Sequence, residues 1–223
     1  MKQKFTVLFD LDGTLVDTAP DLIRAHNHVM KKFGYPTKTL GELKNAVGKG
    51  AKAMMAKANG QWKWFDEKIQ NEMTDEFLSY YGNNILHESK LINGVKEFLN
   101  WCKKENISMA VCTNKTEHLA IDLLKKIGIY DYFEYVAGYN TFEYCKPDPR
   151  HLTNIIEILG GDIKKSIMIG DSENDADAAK LAEIPMILLK DGYTEKKVEQ
   201  IYHNHLIENF IGIEKIISSY LNG

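Results

Sequence analysis

The chain has 223 residues, of which 44% are hydrophobic and 26% charged, and a net charge of −3. That balance provides for a substantial core and argues against disorder. No basic stripe is present, which argues against nucleic acid or an acidic membrane surface as a partner. The three cysteines, Cys102, Cys112 and Cys145, are odd in number and lack ligand or disulfide spacing, as expected in a reducing, cytoplasmic setting. Apolar runs such as Ile184 to Leu189 are too short to span a bilayer, and Asp10 and Asp12 break what would be a signal-peptide core.

The first element is a short strand, Phe5 to Leu8, running into Phe9-Asp10-Leu11-Asp12-Gly13-Thr14. Two carboxylates one residue apart at a strand end repel unless a cation lies between them or one is protonated. Thr18-Ala19-Pro20-Asp21 reads as a helix start, with Thr18 as N-cap and Asp21 three residues on. That helix should run through Leu22 to Phe33 and stop at Gly34. Helical periodicity returns at Leu40 to Asn45, Ala51 to Asn59 and Phe65 to Tyr81, giving an all-helical block.

From Gly94 the pattern alternates. Helices are expected near Val95 to Lys104, Glu117 to Ile127, Asp148 to Leu159 and Asn174 to Ala182. Strands are expected at Ile107 to Cys112, Tyr135 to Ala137, Ser166 to Ile169 and Met186 to Leu189, and Asn209 to Leu221 reads as a closing helix. Strands separated by single helices imply a parallel sheet, whose ligands gather at the carboxyl ends of the strands.

Three further groups follow strands. Thr113-Asn114-Lys115 reads as the start of a helix, where a hydroxyl and backbone N–H groups suit an anion, although taken alone a plain helix cap is the preferred reading. Lys146 stands before Pro147 in a stiffened loop, where a fixed ammonium would meet phosphate. Asp171 and Asp175 flank Ser172-Glu173-Asn174, and such oxygen donors suit Mg²⁺. His203 and His205 lack a third ligand, Trp62 and Trp64 read as packing, and Cys145 beside Lys146 reads as a structural neighbour rather than a redox sensor.

Taken in order, Asp10/Asp12, Thr113, Lys146 and Asp171/Asp175 resemble the four motifs of the haloacid dehalogenase superfamily, over residues 5 to about 190. Thr113-Asn114-Lys115, Gly170-Asp171-Ser172 with Asn174-Asp175, and Asp17-Thr18 are most similar to its phosphoglycolate phosphatase-like branch. The resemblance implies an α/β fold: a Rossmann-like parallel sheet core, residues 1–16 and 87–223, with an inserted all-helical cap, 17–86. Glu183 departs from the many relatives with glycine before Ile-Pro.

It also implies an enzyme, a Mg²⁺-dependent phosphatase acting through an aspartyl-phosphate. Asp10 would be the nucleophile and Asp12 the acid and base. Thr113 and Lys146 would bind the phosphoryl oxygens, and Asp10, Asp12, Asp171 and Asp175 would hold or orient the metal. Gly13, Thr14 and Asn114 are expected beside the substrate. Val47-Gly48-Lys49-Gly50 resembles the family's specificity loop, so Gly48 and Lys49 are expected to meet its leaving group. The partner would be a small phosphorylated metabolite, 2-phosphoglycolate first among them, and the protein a monomer or homodimer. Alternatives are an inorganic pyrophosphatase, a sugar- or nucleotide-phosphate phosphatase, a hexose phosphomutase, or a silent binding module.

Overall fold

The computed structural model describes residues 4–47, 50–57, 67–194 and 196–221. The first strand, β1 (Thr6–Phe9), has every residue buried, as a central parallel strand with both faces covered must. A two-residue strand, β2 (Val16–Asp17), leads to four helices: α1 (Ala19–Lys32), α2 (Leu40–Val47), α3 (Ala51–Lys57) and α4 (Glu67–Asn83). A return strand, β3 (Lys90–Leu91), pairs antiparallel with β2. The rest alternates: α5 (Val95–Lys104), β4 (Ser108–Cys112), α6 (Glu117–Lys126), β5 (Tyr135–Ala137), α7 (Arg150–Ile158), β6 (Ser166–Gly170), α8 (Glu173–Leu181), β7 (Met186–Leu189), β8 (His205–Ile207) and α9 (Glu214–Leu221).

Among the described residues the main sheet has six strands in the order β5-β4-β1-β6-β7-β8, all parallel. It is the α/β architecture expected from the sequence. Its two faces bury separate apolar clusters. Phe9, Val111 and Ile169 lie on one, and Leu8, Ala110 and Met168 on the other, as the two-residue side-chain period of a strand requires. No helix among the described residues is long and apolar enough to cross a membrane.

Several local expectations need correction. Thr18 holds the N-cap position of α1, but its hydroxyl makes no cap bond and donates instead to Asp12 Oδ1 at 2.6 Å. Asp21 does not complete a capping box. Its carboxylate accepts the backbone N–H groups of His87, Glu88 and Ser89 at 2.9 to 3.1 Å, three donors where a capping box offers one. Helix α6 begins at Glu117, so Thr113 lies in a turn ahead of it rather than at its start. The tail is split: Phe210 and Ile213 are buried in irregular chain, and α9 covers only Glu214–Leu221. The short edge strand β8, and the β2–β3 pair, are additional to the strands expected.

Candidate active site

The sheet delivers its polar residues to one edge. Asp10 and Asp12 follow β1, Thr113 follows β4, Lys146 lies in the loop after β5, and Asp171 follows β6. All are buried, with Asp175 on the first turn of α8 beside them. After Asp12 the chain turns at Gly13, with φ +84°. A Cβ there would lie 2.3 Å from Asp171 Oδ2, so only glycine permits both the turn and the approach of Asp171. Thr14, one residue on, donates its hydroxyl to Asp171 Oδ1 at 3.1 Å.

Lys146 Nζ donates to Asp10 Oδ1 at 2.8 Å and to Asp175 Oδ1 at 2.6 Å. The other oxygen of Asp175 accepts the Ser172 N–H and hydroxyl, at 3.0 and 2.7 Å, in the capping box that starts α8. Asp175 therefore fixes the loop and the lysine. Asp10, Asp171 and Asp175 each present an oxygen within 4.8 Å of the others. One ammonium faces three carboxylates, which leaves excess negative charge in a largely buried site.

The titration behaviour records that excess. Burial pushes Asp10 up to about 6 against the pull of Lys146, with Asp175 adding to the rise. Burial, then Asp10 and Asp175, raise Asp171 well above the usual carboxylate range. Burial opposes the charge on Lys146, but Asp10 and Asp175 hold its ammonium more firmly than in water. Three hard oxygen donors short of positive charge match what Mg²⁺ takes.

Asp12 sits on the other side. It accepts Lys115 Nζ at 2.8 and 2.9 Å on its two oxygens, together with the Thr18 hydroxyl. Thr113 Oγ1 accepts the Lys115 N–H at 3.1 Å, a turn-closing bond that leaves its own proton available to a ligand. Asn114 lines the cavity, but its Nδ2 is committed to the Lys146 carbonyl at 2.9 Å, tying two site loops together. Gly48 and Lys49 lie outside the described residues, as do Trp62 and Trp64. Burial raises the Cys145 thiol despite Lys146 nearby.

Lys115 and the pair Gly192-Tyr193 received no role from the sequence. The Tyr193 N–H donates to Asp171 Oδ2 at 2.6 Å, and its hydroxyl bonds Asp17 Oδ1 at 2.5 Å and accepts the Ala19 N–H at 3.0 Å. A Cβ on Gly192 would lie 2.1 Å from the Asp171 carbonyl oxygen, so the loop approaches only as glycine. The signal for this loop was its place after β7, at the same strand edge as the other sites.

A family model described as haloacid dehalogenase-like hydrolase matches residues 7–189. A phosphoglycolate phosphatase of Agrobacterium fabrum is 38% identical over 217 residues, covering 95% of this chain and 93% of its own length. One of Mesorhizobium japonicum is 36% identical, over 92% of this chain and 90% of its own. The crystal structure of a predicted phosphoglycolate phosphatase from Haemophilus somnus 129pt superimposes with a TM-score of 0.90 at 30% identity, over 97% of this chain and 99% of that one. The order of motifs along the chain, their meeting at one sheet edge and these likenesses agree: the chain belongs to the haloacid dehalogenase-like hydrolase family.

Proposed function

We propose that this enzyme hydrolyses a small phosphomonoester, 2-phosphoglycolate, to an alcohol and phosphate. The observation that carries the reading is the Asp10 carboxyl, held by Lys146 at the end of β1 and facing a cavity of about 410 Å³ that Asp12 also lines. The substrate's identity rests on the relatives that carry the name phosphoglycolate phosphatase.

Asp10 attacks phosphorus and becomes an aspartyl-phosphate as the alkoxide leaves, dividing one displacement into two. Asp12 gives a proton to that alkoxide, then takes one from the water that cleaves the acyl-phosphate. Lys146 and the Thr113 hydroxyl meet the phosphoryl oxygens, and Gly13, Thr14 and Asn114 shape the loops around them. Asp175 orients Lys146. Mg²⁺, held by the Asp10 carboxylate, the Asp12 backbone carbonyl and Asp171, supplies positive charge against phosphate and nucleophile when bound.

Residues 17–86 act as the cap and residues 1–16 with 87–223 as the core. The β2–β3 ribbon, pairing Val16 with Leu91 and Asp17 with Lys90, supports this division because both joins pass through it. Closure of the cap would exclude bulk water.

The test is hydrolysis of 2-phosphoglycolate beside pyrophosphate, glucose 1-phosphate and nucleoside monophosphates, with Mg²⁺ and with EDTA. The reading expects 2-phosphoglycolate to lead the panel and EDTA to abolish turnover. A stronger preference for pyrophosphate or a sugar phosphate overturns the substrate, and full activity in EDTA overturns the metal. No turnover of any phosphate would favour a binding module.

A further inference from the structure

Groups that handle phosphate treat all phosphomonoesters alike, so selection must come from what lies beyond the leaving oxygen. The cavity between the sheet edge and α1–α4 is largely apolar there, with Met54, Phe77 and Leu78 in its wall. Polar side chains interrupt that wall, Thr74, Asp75 and Thr116 among them, and two of them, Lys115 and Tyr81, are buried against each other. Lys115 is 9% exposed, its ammonium fixed on Asp12 and lying 4.6 Å over the ring of Tyr81. Tyr81, on α4, is 1% exposed, and its hydroxyl has no hydrogen-bond partner among the described residues. Of the other lysines lining the cavity among those residues, Lys146 is the one assigned to the phosphoryl oxygens, and Lys52 is exposed to solvent.

We propose that Lys115 and Tyr81 are the specificity-determining pair, reading a carboxylate one carbon beyond the leaving oxygen of the substrate. The inference rests on the phosphatase reading above and gives that site its leaving-group chemistry. Asp12 is the residue assigned to the leaving oxygen, and Lys115 Nζ is one hydrogen bond from it on both carboxylate oxygens. In a 2-phosphooxy acid the carboxyl carbon is two bonds from that oxygen, within reach of the same ammonium. A longer substrate carries its polar groups past Lys115, and a plain alkyl phosphate offers it nothing.

Tyr81 serves the pair twice. Its ring face supports the ammonium, a favourable cation–π placement in a desolvated wall. Its O–H is a buried donor whose missing partner calls for an explanation, and an anion in the cavity supplies one. A wall that buries polar groups for one ligand penalises any analogue that leaves them unpaired.

The experiment measures kcat/KM of the full-length protein on 2-phosphoglycolate, 2-hydroxyethyl phosphate and phenyl phosphate. The second is of similar length without the carboxylate, and the third needs little help in leaving. The wild type should prefer 2-phosphoglycolate over 2-hydroxyethyl phosphate at least tenfold. Lys115→Met should erase most of that preference, mainly through KM for 2-phosphoglycolate, and Lys115→Arg should restore part of it. Tyr81→Phe keeps the ring and its packing, so it stays informative if Lys115→Met fails to fold, and it should lower the same preference severalfold. A wild type that turns over phenyl phosphate but not 2-phosphoglycolate overturns the substrate reading itself. A wild type with the preference, in which Tyr81→Phe and a folded lysine variant keep it or lose all three substrates equally, overturns the specificity pair alone.

Discussion

The Ser89 hydroxyl donates to Asp21 Oδ2 at 2.7 Å, joining the first turn of α1 to the segment that enters β3. Arg24 strengthens the junction, with Nη2 3.0 Å from Asp21 Oδ1 and 3.1 Å from the Asn84 carbonyl. Both connections between the helical block and the sheet are thereby fastened to one another. Burial works against the charge on Asp21, yet the Ser89 hydroxyl and three backbone N–H groups hold its pKa below the ordinary value. The carboxylate's contribution to stability is present above the unfolded pKa of 3.8 and is lost as pH falls through the lower folded value.

Asp21→Ala should therefore destabilise the protein by about 3 kcal/mol, because several buried donors lose their acceptor at once. Asp21→Asn keeps one acceptor oxygen and should cost less. Urea midpoints at neutral pH measure both. A loss within about 0.5 kcal/mol for the alanine variant, the level of an ordinary surface change, would contradict the assignment.

Asp10→Asn should abolish turnover, since an amide does not attack phosphorus, while leaving the protein at least as stable without divalent cation. The reason is charge: burial raises Asp10 to about 6, so its ionised form at pH 7 opposes folding, and the amide removes that opposition. Stability and catalysis then move in opposite directions at one residue. Melting with EDTA, set beside an activity assay, checks the pair. A variant that melts well below the wild type would show that the ion pair with Lys146 outweighs the desolvation.

Acid should reveal His151. Its ring is buried, with Nδ1 accepting the Lys146 N–H at 3.2 Å. Burial, then the Lys146 charge, lower its pKa to about 3. Between about 6.5 and 3 the unfolded chain binds a proton that the folded one refuses, so stability rises with pH across that window and is lost as pH falls through it. His151→Gln should lose some stability at pH 7 but flatten this acid limb, by a few kcal/mol between its ends. Chemical denaturation from pH 7 to pH 4 gives both slopes, and identical slopes would refute the idea.

Glu183 offers a stabilising change. It sits at φ +58°, in the left-handed region where a side chain is strained, after the end of α8. The sequence resemblance set glycine at this position in many relatives, and the backbone explains why. Glu183→Gly should stabilise the fold by about 0.5–1 kcal/mol, raising Tm by about 1–4 °C. A fall in Tm would mean that the flexibility gained by the unfolded chain outweighs the strain relieved.

The parts of this site legible in the sequence were those written in short local patterns. Asp10 and Asp12 follow an apolar run, and Asp171 and Asp175 sit across a strand-to-helix turn, so type and spacing locate them. Lys115 was visible as a residue but not as a partner of Asp12, 103 positions away, because a lysine after a turn looks the same whether solvated or buried. Asp21 misled for the opposite reason. Its spacing from Thr18 satisfies a local rule, while its actual partners lie 66 to 68 residues on. Edge strand β8 was missed because His205-Leu206-Ile207 is too short for alternation to register.

The position of β1 has a consequence for how the protein is made. Its neighbours in the sheet start with Ser108 and Ser166, both of which pair with Thr6. On a ribosome adding about 5–20 residues each second, the strand emerges first and waits seconds or longer for either partner. Through that interval Asp10 is an ordinary hydrated carboxylate at the end of an unpaired apolar segment. To the repulsion between Asp10 and Asp12 the arrival of β6 adds Asp171 and then Asp175, at a sheet that already has β4 and β5 on its other side. The nascent chain thus meets its most unfavourable electrostatics last, when most of the core that must contain them has been synthesised.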